Sequence, residues 1–427
     1  MSVEISRLSN GLIVATDPMP QLESAFAGVW VASGARNEPK PLSGISHMLE
    51  HMAFKGTGRR SAKDISCEIE AVGGALNAYT GREQTAYQAR VLKADVPLAL
   101  ELIADILIDP AYAPEELERE RQVILQEIFE ARDTPDDVVF DYLQEAAYPD
   151  QPMGRPVLGD EKTVAAVARP DLFAYLKEHY HAGGMVLAVS GAVTHAEILK
   201  LAEEKFSALP AGKTSAPESA RYGGIERRVP ADFEQAHLAI AFPGAAPSDP
   251  DYFAAQVYAT ALGGGMSSRL FQEVREKRGL CYTIYAFAQS ARDGGLTGVY
   301  AATGEEGTGE IAAVIAGEMA SLAETAGEDE VARAKAQMKA GLLMGLERPG
   351  TRAEMIASHL FYYGRVMAAA EIAEKIEAVS VADVRRFGAK VMETGRPAYA
   401  ATGRLGRLES RAAFAARFGA ARDKAAE

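Results

Sequence analysis

Cysteine is almost missing from this chain. Cys67 and Cys281 are the only two in 427 residues. That excludes a disulfide framework, leaves room for one pair at most, and suits a reducing compartment. Positive charge is the minority: 45 lysines and arginines face 59 aspartates and glutamates, for a net charge of −14. A general nucleic-acid binder is excluded on that balance, and cationic partners are favoured. Residues 1–20 hold no continuous apolar run, so neither a secretory signal nor a membrane anchor is expected. They do not form an amphipathic, arginine-rich presequence either, and with the alanine-rich composition the expectation is a cytoplasmic bacterial protein without a membrane partner. The glycine run Gly263-Gly264-Gly265 lacks the Lys-Ser/Thr that a phosphate loop requires. What is present is a 48% hydrophobic chain of 427 residues, enough for two cores, so two large domains are expected.

The densest chemistry lies in His47-Met48-Leu49-Glu50-His51. Histidines four apart on a helix stand one turn above the other on one face, a spacing that suits a single metal ion. Glu50 shares their side, where a carboxylate can take a proton from water. Ile45, Met48, Leu49 and Met52 fall on the opposite face at 100° per residue. Gly56 is expected at the C-terminal cap. Two imidazoles leave a zinc ion short of the three protein ligands of a catalytic site, so a third belongs on a neighbouring element.

The segment 115–130, opened by Pro114, reads as a long helix. On it Glu127 lies beside Val123, Ile124 and Ala131, in the apolar sector, where a carboxylate needs a cation or a strong donor. Glu120, two turns earlier, points nearly the same way. Glu115, Glu116, Glu118 and Glu130 are close by, so the pattern alone fits a merely charged helix equally well.

Glu127 follows His51 by seventy-six residues, inside Glu120-Arg121-Gln122-Val123-Ile124-Leu125-Gln126-Glu127-Ile128. The inverted His-x-x-Glu-His order with this distant glutamate resembles the inverted-zincin metallopeptidases of the pitrilysin family. The block from His47 through Met52-Ala53-Phe54-Lys55-Gly56-Thr57 is similar to the processing-peptidase branch of that family, and the resemblance covers essentially the whole chain. It implies one Zn²⁺ per chain held by His47, His51 and Glu127, with Glu50 as general base and Glu120 supporting the site.

Strands are expected over 13–16, 25–32 and 185–193, a strand hairpin over 75–90, and helices over 61–72 and 195–207. The stretch 211–229, rich in proline and glycine, is expected to link a zinc-binding peptidase domain, 1–210, to a metal-free domain, 230–427. The second half repeats the first. Gly58 and Gly74 recur as Gly263 and Gly279 at an offset of 205, and the strand beginning at Ala25 recurs at Ala236 at an offset of 211. At those offsets the triad falls on Tyr252, Ala255 and Gln256, or on Tyr258, Ala261 and Leu262. The second copy therefore has no metal triad, and a repeat of about 200 residues means a duplicated domain. The expected class is α+β: two duplicated domains, each a mixed β-sheet with helices packed on it, as the resemblance implies.

The resemblance also assigns residues to substrate. Arg275 and Tyr282, within Val274-Arg275-Glu276-Lys277-Arg278-Gly279-Leu280-Cys281-Tyr282, match a pair that contacts the substrate backbone and helps the transition state. Leu76-Asn77-Ala78-Tyr79-Thr80 matches an edge strand that pairs with an extended peptide, making Asn77, Ala78 and Tyr79 candidate binding residues. Asp137 and Asp141, ten and fourteen residues beyond Glu127, match an acidic pair that receives an arginine two residues before the cut; Asp137 stands where glutamate is frequent, which shortens the reach. The expected function is a zinc endopeptidase acting on extended, basic peptides. A broad oligopeptidase and a non-catalytic scaffold of a respiratory-complex core are the alternatives. The expected assembly is a homodimer, or a heterodimer with a metal-free paralogue. The loop from Ser33 to Glu38 receives no role, and the remaining histidines, among them His179, His181, His195, His237 and His359, are not expected to bind metal.

Overall fold

The structure is a computed structural model and describes residues 3–425. Two compact units divide the chain. One comprises Met1–Phe129, Arg155–Glu218 and Leu343–Ala368; the other comprises Glu130–Gly154, Ser219–Leu342 and Ala369–Glu427.

The first unit is built on a six-stranded sheet of β1 (Glu4–Arg7), β2 (Ile13–Pro18), β3 (Ser24–Val31), β4 (Ala75–Thr80), β5 (Thr85–Leu92) and β6 (Met185–Gly191). Its order is β1-β2-β6-β3-β5-β4. Only β2 and β6 run parallel; the other neighbours are antiparallel. Both faces of β3 are covered, which explains its mixed alternation. Ala25, Ala27, Val29 and Val31 face a core shared with Met48, Leu49 and Met52 of helix α1 (Ile45–Ala53) and with helix α3 (Val96–Ile108). Helix α2 (Ala62–Ala71) precedes the hairpin of β4 and β5. Trp30, on the other face of β3, packs with Ala353, Ile356, Ala357 and Leu360 of the helix Pro349–Tyr363.

The second unit holds β7 (Glu226–Pro230), β8 (Ala236–Pro243), β9 (Cys281–Ala291), β10 (Gly294–Thr303) and β11 (Ala398–Gly403) in the order β7-β11-β8-β10-β9. The order matches β2-β6-β3-β5-β4 strand for strand, including one parallel pair, β7 with β11. The fold is a duplicated α+β architecture. β7, the counterpart of β2, takes Glu226–Pro230 from the end of the stretch expected as linker. Its one proline, Pro230, suits an edge, where a missing N–H costs no ladder bond. One face of this sheet packs Leu238, Ile240 and Phe242 against Val257, Tyr258 and Leu262. The other packs Ala239, Ala241 and Ala400 against Val139, Leu143 and Ala146 of helix α5 (Pro135–Ala147).

Helix α5 thus serves the second sheet although it lies in the first half of the sequence, and Pro349–Tyr363 serves the first sheet from the second half. A contiguous division into 1–210 and 230–427 differs from the two units in these exchanged segments. Helix α4 (Pro114–Asp133) precedes α5. Two local expectations shift. Helix α1 ends at Ala53 with Phe54 as its cap, and Gly56, at φ +115°, instead opens the following turn. The segment before Gly279 is a π-helix over Phe271–Lys277. Among the described residues no helix is long and apolar enough to cross a membrane.

Candidate metal centre and peptide-binding edge

Helix α1 buries Ile45, Met48, Leu49 and Met52 and leaves His47, Glu50 and His51 partly accessible on one side, as the 100° periodicity requires. Its N-terminus has no side-chain cap of its own, because Gly44 occupies that position with φ +94°. The buried carboxylate of Glu38 supplies the missing acceptors. It receives the backbone N–H of Gly44 at 2.8 Å and that of Ser46 at 2.8 Å. Burial raises the Glu38 pKa from 4.5 to about 7, against the pull of those two N–H groups and of Arg155.

The other side of the site is α4. Glu120, nearly sealed from solvent, accepts from Nδ1 of His51 at 2.9 Å and from Nζ of Lys55 at 2.6 Å. A carboxylate on Nδ1 makes that nitrogen the proton carrier and leaves Nε2 with its lone pair. Nε2 of His51 lies 3.4 Å from Oε2 of Glu127, and Nε2 of His47 lies 3.7 Å from the same oxygen. Among the described residues these three side chains form the one group able to hold a metal, with donor atoms all within 4.8 Å of one another.

The geometry fits zinc. Bonds of about 2.0–2.2 Å in a tetrahedron set neighbouring ligand atoms roughly 3.3–3.6 Å apart, close to the separations seen. Oε2 of Glu127 is buried and makes no hydrogen bond, the condition of a carboxylate oxygen waiting for a cation. Burial and the neighbouring His51 lower the His47 pKa from 6.5 to about 3, so its imidazole is neutral and able to ligate. Burial raises the Glu50 pKa, with hydrogen bonding from Thr80 and the charge of His51 acting the other way and Glu127 adding to the rise. Its Oε2 has no hydrogen-bond partner. Glu50 therefore keeps a buried oxygen able to accept a proton.

Thr80 ties the edge of the first sheet to α1, its hydroxyl donating to the Ser46 carbonyl at 3.4 Å. It is the last residue of β4, the edge strand, which pairs only with β5. The Gly81 N–H bonds the Gln84 carbonyl at 2.7 Å across the turn. Antiparallel alternation then turns the peptide groups of Tyr79 and Asn77 toward β5, and those of Leu76, Ala78 and Thr80 toward the open edge.

The remaining sequence candidates lie in the second unit. Arg275, in the π-helix, stacks on the Tyr282 ring at 4.4 Å and on the Phe271 ring at 4.7 Å. Tyr282 is 75% exposed at the start of β9, the counterpart of β4. Asp137 and Asp141 sit one turn apart on α5, the first exposed and the second half-buried. Glu38, Thr80 and Lys55 escaped the sequence reading as functional residues. Thr80 and Lys55 lie inside the quoted motifs, whereas nothing local marks Glu38, whose partner Ser46 is eight residues away. Other histidines are engaged elsewhere: His195 bonds Ser6 at 2.8 Å and Thr16 at 2.9 Å, and His237 bonds Tyr300 at 2.8 Å.

Two family profiles match successive parts of the chain. "Insulinase (Peptidase family M16)" matches residues 13–161, and "Peptidase M16 inactive domain" matches residues 166–338. A protein named an uncharacterized zinc protease, from Rickettsia felis, is 37% identical over 91% of this chain and 95% of its own length. The mitochondrial-processing peptidase subunit beta of Lentinula edodes is 38% identical over 95% of this chain and 91% of its own. The chain belongs to the M16 peptidase family. An M16 inactive domain from Pseudomonas fluorescens shares the fold, with a TM-score of 0.89 at 20% identity over 96% of this chain and all of that one. The profile over residues 13–161 covers His47, Glu50, His51, Glu120 and Glu127.

Glu38 gives a pH signature. A carboxyl that binds its proton more tightly folded than unfolded contributes stability that is full below about pH 4.5 and lost as pH rises through about 7. Between those limits, denaturation midpoints should fall more steeply for the unaltered chain than for Glu38→Gln. Parallel profiles would show that Glu38 does not titrate there.

Proposed function

We propose that this chain is a zinc-dependent endopeptidase that cleaves extended peptides. The observation that carries the reading is the convergence of His47, His51 and Glu127, with donor atoms within 4.8 Å of one another, beside Glu50 on the same helix as the two histidines. Zinc, when bound there, supplies Lewis acidity toward a peptide carbonyl and toward water. Glu50 takes the proton of the attacking water and returns it to the leaving amine; its raised pKa brings it nearer the range in which a carboxylate can do both. Glu120 holds the His51 tautomer. The open edge of β4 aligns the substrate backbone through the peptide group of Ala78, so recognition there selects an extended conformation over a sequence. Asn77 and Tyr79 support that edge from the strand's other face. Whether the enzyme clears many peptides or processes few follows from the acidic positions, and a scaffold would have no use for an open base beside an unfilled carboxylate.

His47→Ala and Glu127→Gln should lower zinc content and turnover together. Glu50→Gln should keep the zinc and lose at least about a thousandfold in kcat. Near-normal turnover by Glu50→Gln rules this mechanism out.

We further assign Asp137 and Asp141 to an arginine two residues before the scissile bond, supported by their one-turn spacing on α5. Because Asp137 is exposed, the contact is expected to contribute about 1–2 kcal/mol, less than a fully desolvated pair. Replacing both by alanine should reduce the preference for arginine over alanine at that position roughly tenfold, measured on a peptide library; an unchanged preference places the pocket elsewhere.

Arg275 and Tyr282 are assigned to the substrate carbonyl. We propose that they act across a two-fold homodimer, on the site of the partner subunit, in place of a metal-free paralogue. Mixing inactive Glu50→Gln chains with inactive Tyr282→Phe chains should restore activity once subunits exchange. Exchange without recovery contradicts the shared site.

A further inference from the structure

Tyr79 points to the face of the first sheet opposite α1. Leu76 and Ala78 pack toward the core that contains α1, whereas Tyr79 packs beside Trp30 and Ala86 against the helix Pro349–Tyr363. One carboxylate collects the polar atoms there. Glu354 accepts from the Tyr79 hydroxyl at 2.5 Å and from Nε1 of Trp30 at 2.9 Å. Nε2 of Gln84 donates to the Tyr79 hydroxyl at 3.0 Å and to Glu354 at 3.2 Å. The same helix grips the hairpin turn, where the Tyr362 hydroxyl donates to Glu83 at 3.2 Å, and Glu83 is paired in turn with the buried Arg36 at 2.6 Å.

β4 has a neighbour on one side only, so nothing but its side chains fixes its free edge. Inner-face contacts at Leu76 and Ala78 are apolar and tolerate sliding. A hydrogen-bonded phenol does not, because its oxygen has one acceptor at one place. Tyr79 lies between Ala78, whose peptide group faces the open edge, and Thr80, whose hydroxyl donates to the Ser46 carbonyl of α1 at 3.4 Å.

We propose that Glu354, 275 residues away from Tyr79 in sequence, is a positioning residue for substrate binding. By holding Tyr79 it fixes the edge strand on which the peptide backbone is aligned. The inference rests on the peptidase reading and adds to it a residue contributed by the second half of the chain. Its two oxygens matter because four donors converge on them: the Tyr79 phenol and Nε2 of Gln84 on one, the Trp30 indole and Nε2 of Gln88 on the other. Glutamine retains one acceptor oxygen for the four, and alanine retains none.

The test combines kinetics with Trp30, the only tryptophan in the chain. Glu354→Ala should raise KM for an extended, arginine-containing peptide about tenfold, with kcat changed less than about threefold and zinc content unchanged. Glu354→Gln should fall between it and the unaltered chain. Tyr79→Phe should reproduce the alanine effect, and combining Tyr79→Phe with Glu354→Ala should add nothing, since the two residues act as one unit. In the Glu50→Gln background, where the peptide is bound but not cut, Trp30 emission should shift on addition of that peptide, and Glu354→Ala should abolish the shift. Unchanged KM, additive effects of the two substitutions, or a loss of zinc in step with activity each overturn the proposal. If the Glu50→Gln chain with Glu354 intact binds no extended peptide, the peptidase reading falls and this inference falls with it.

Discussion

A helix of nine residues has no stability of its own in water, yet α1 must hold two imidazoles and a carboxylate in register to a few tenths of an ångström. Buried carboxylates outside the helix make this possible. Glu38 satisfies two N–H groups at the start of α1, and Glu120 ties His51 and Lys55 near its end. Each carboxylate is itself nearly removed from water, so neither bond is exchanged for solvent at low cost. Between these two anchors the apolar side of α1 is packed into the core, and the chemical side has little freedom left. The low pKa of His47 and the raised pKa of Glu50 follow from the same burial.

The duplicated architecture puts that helix to one use and its counterpart to another. Both sheets have the same strand order and one parallel pair, so the same edge strand is offered twice. In the first unit the edge is β4, tied to α1 through the Thr80 hydroxyl and the Ser46 carbonyl. In the second it is β9, which begins with the exposed Tyr282 beside Arg275. Each sheet is backed on one face by a helix encoded in the other half of the chain. This exchange explains how Glu354 comes to hold a residue of the metal-binding half, and why substitutions in residues 343–368 are expected to affect peptide binding.

Much of this was legible in the sequence. The face shared by His47, Glu50 and His51 follows from helical spacing alone, and the strands at 24–31, 185–191 and 236–243 stand within a residue or two of their hydrophobic patterns. Glu127 is ambiguous on pattern, because a charged helix hides one carboxylate among several; the structure sets it beside His47 and His51. Other features leave no local trace. Glu38 serves an N-terminus through bonds spanning six and eight residues, and Glu354 acts across 275. An amphipathic helix such as α5 looks the same whichever sheet it covers, so the exchange of helices was invisible. The π-helix at Phe271–Lys277 keeps the composition of an α-helix, and only its hydrogen bonds distinguish it. β7 begins at Glu226, past the glycines and proline of 212–224, and its Glu-Arg-Arg-Val-Pro sequence, charged and ending in proline, has no strand pattern.

The central claim is that His47, His51 and Glu127 hold one zinc ion with a position left open for chemistry. X-ray absorption at the zinc edge of the purified chain measures this directly. The account predicts one zinc per chain, a first shell of nitrogen and oxygen at about 2.0–2.1 Å, and the outer-shell scattering of two imidazoles; a protein that carries no zinc after purification and reconstitution, or a shell containing sulfur, would contradict it.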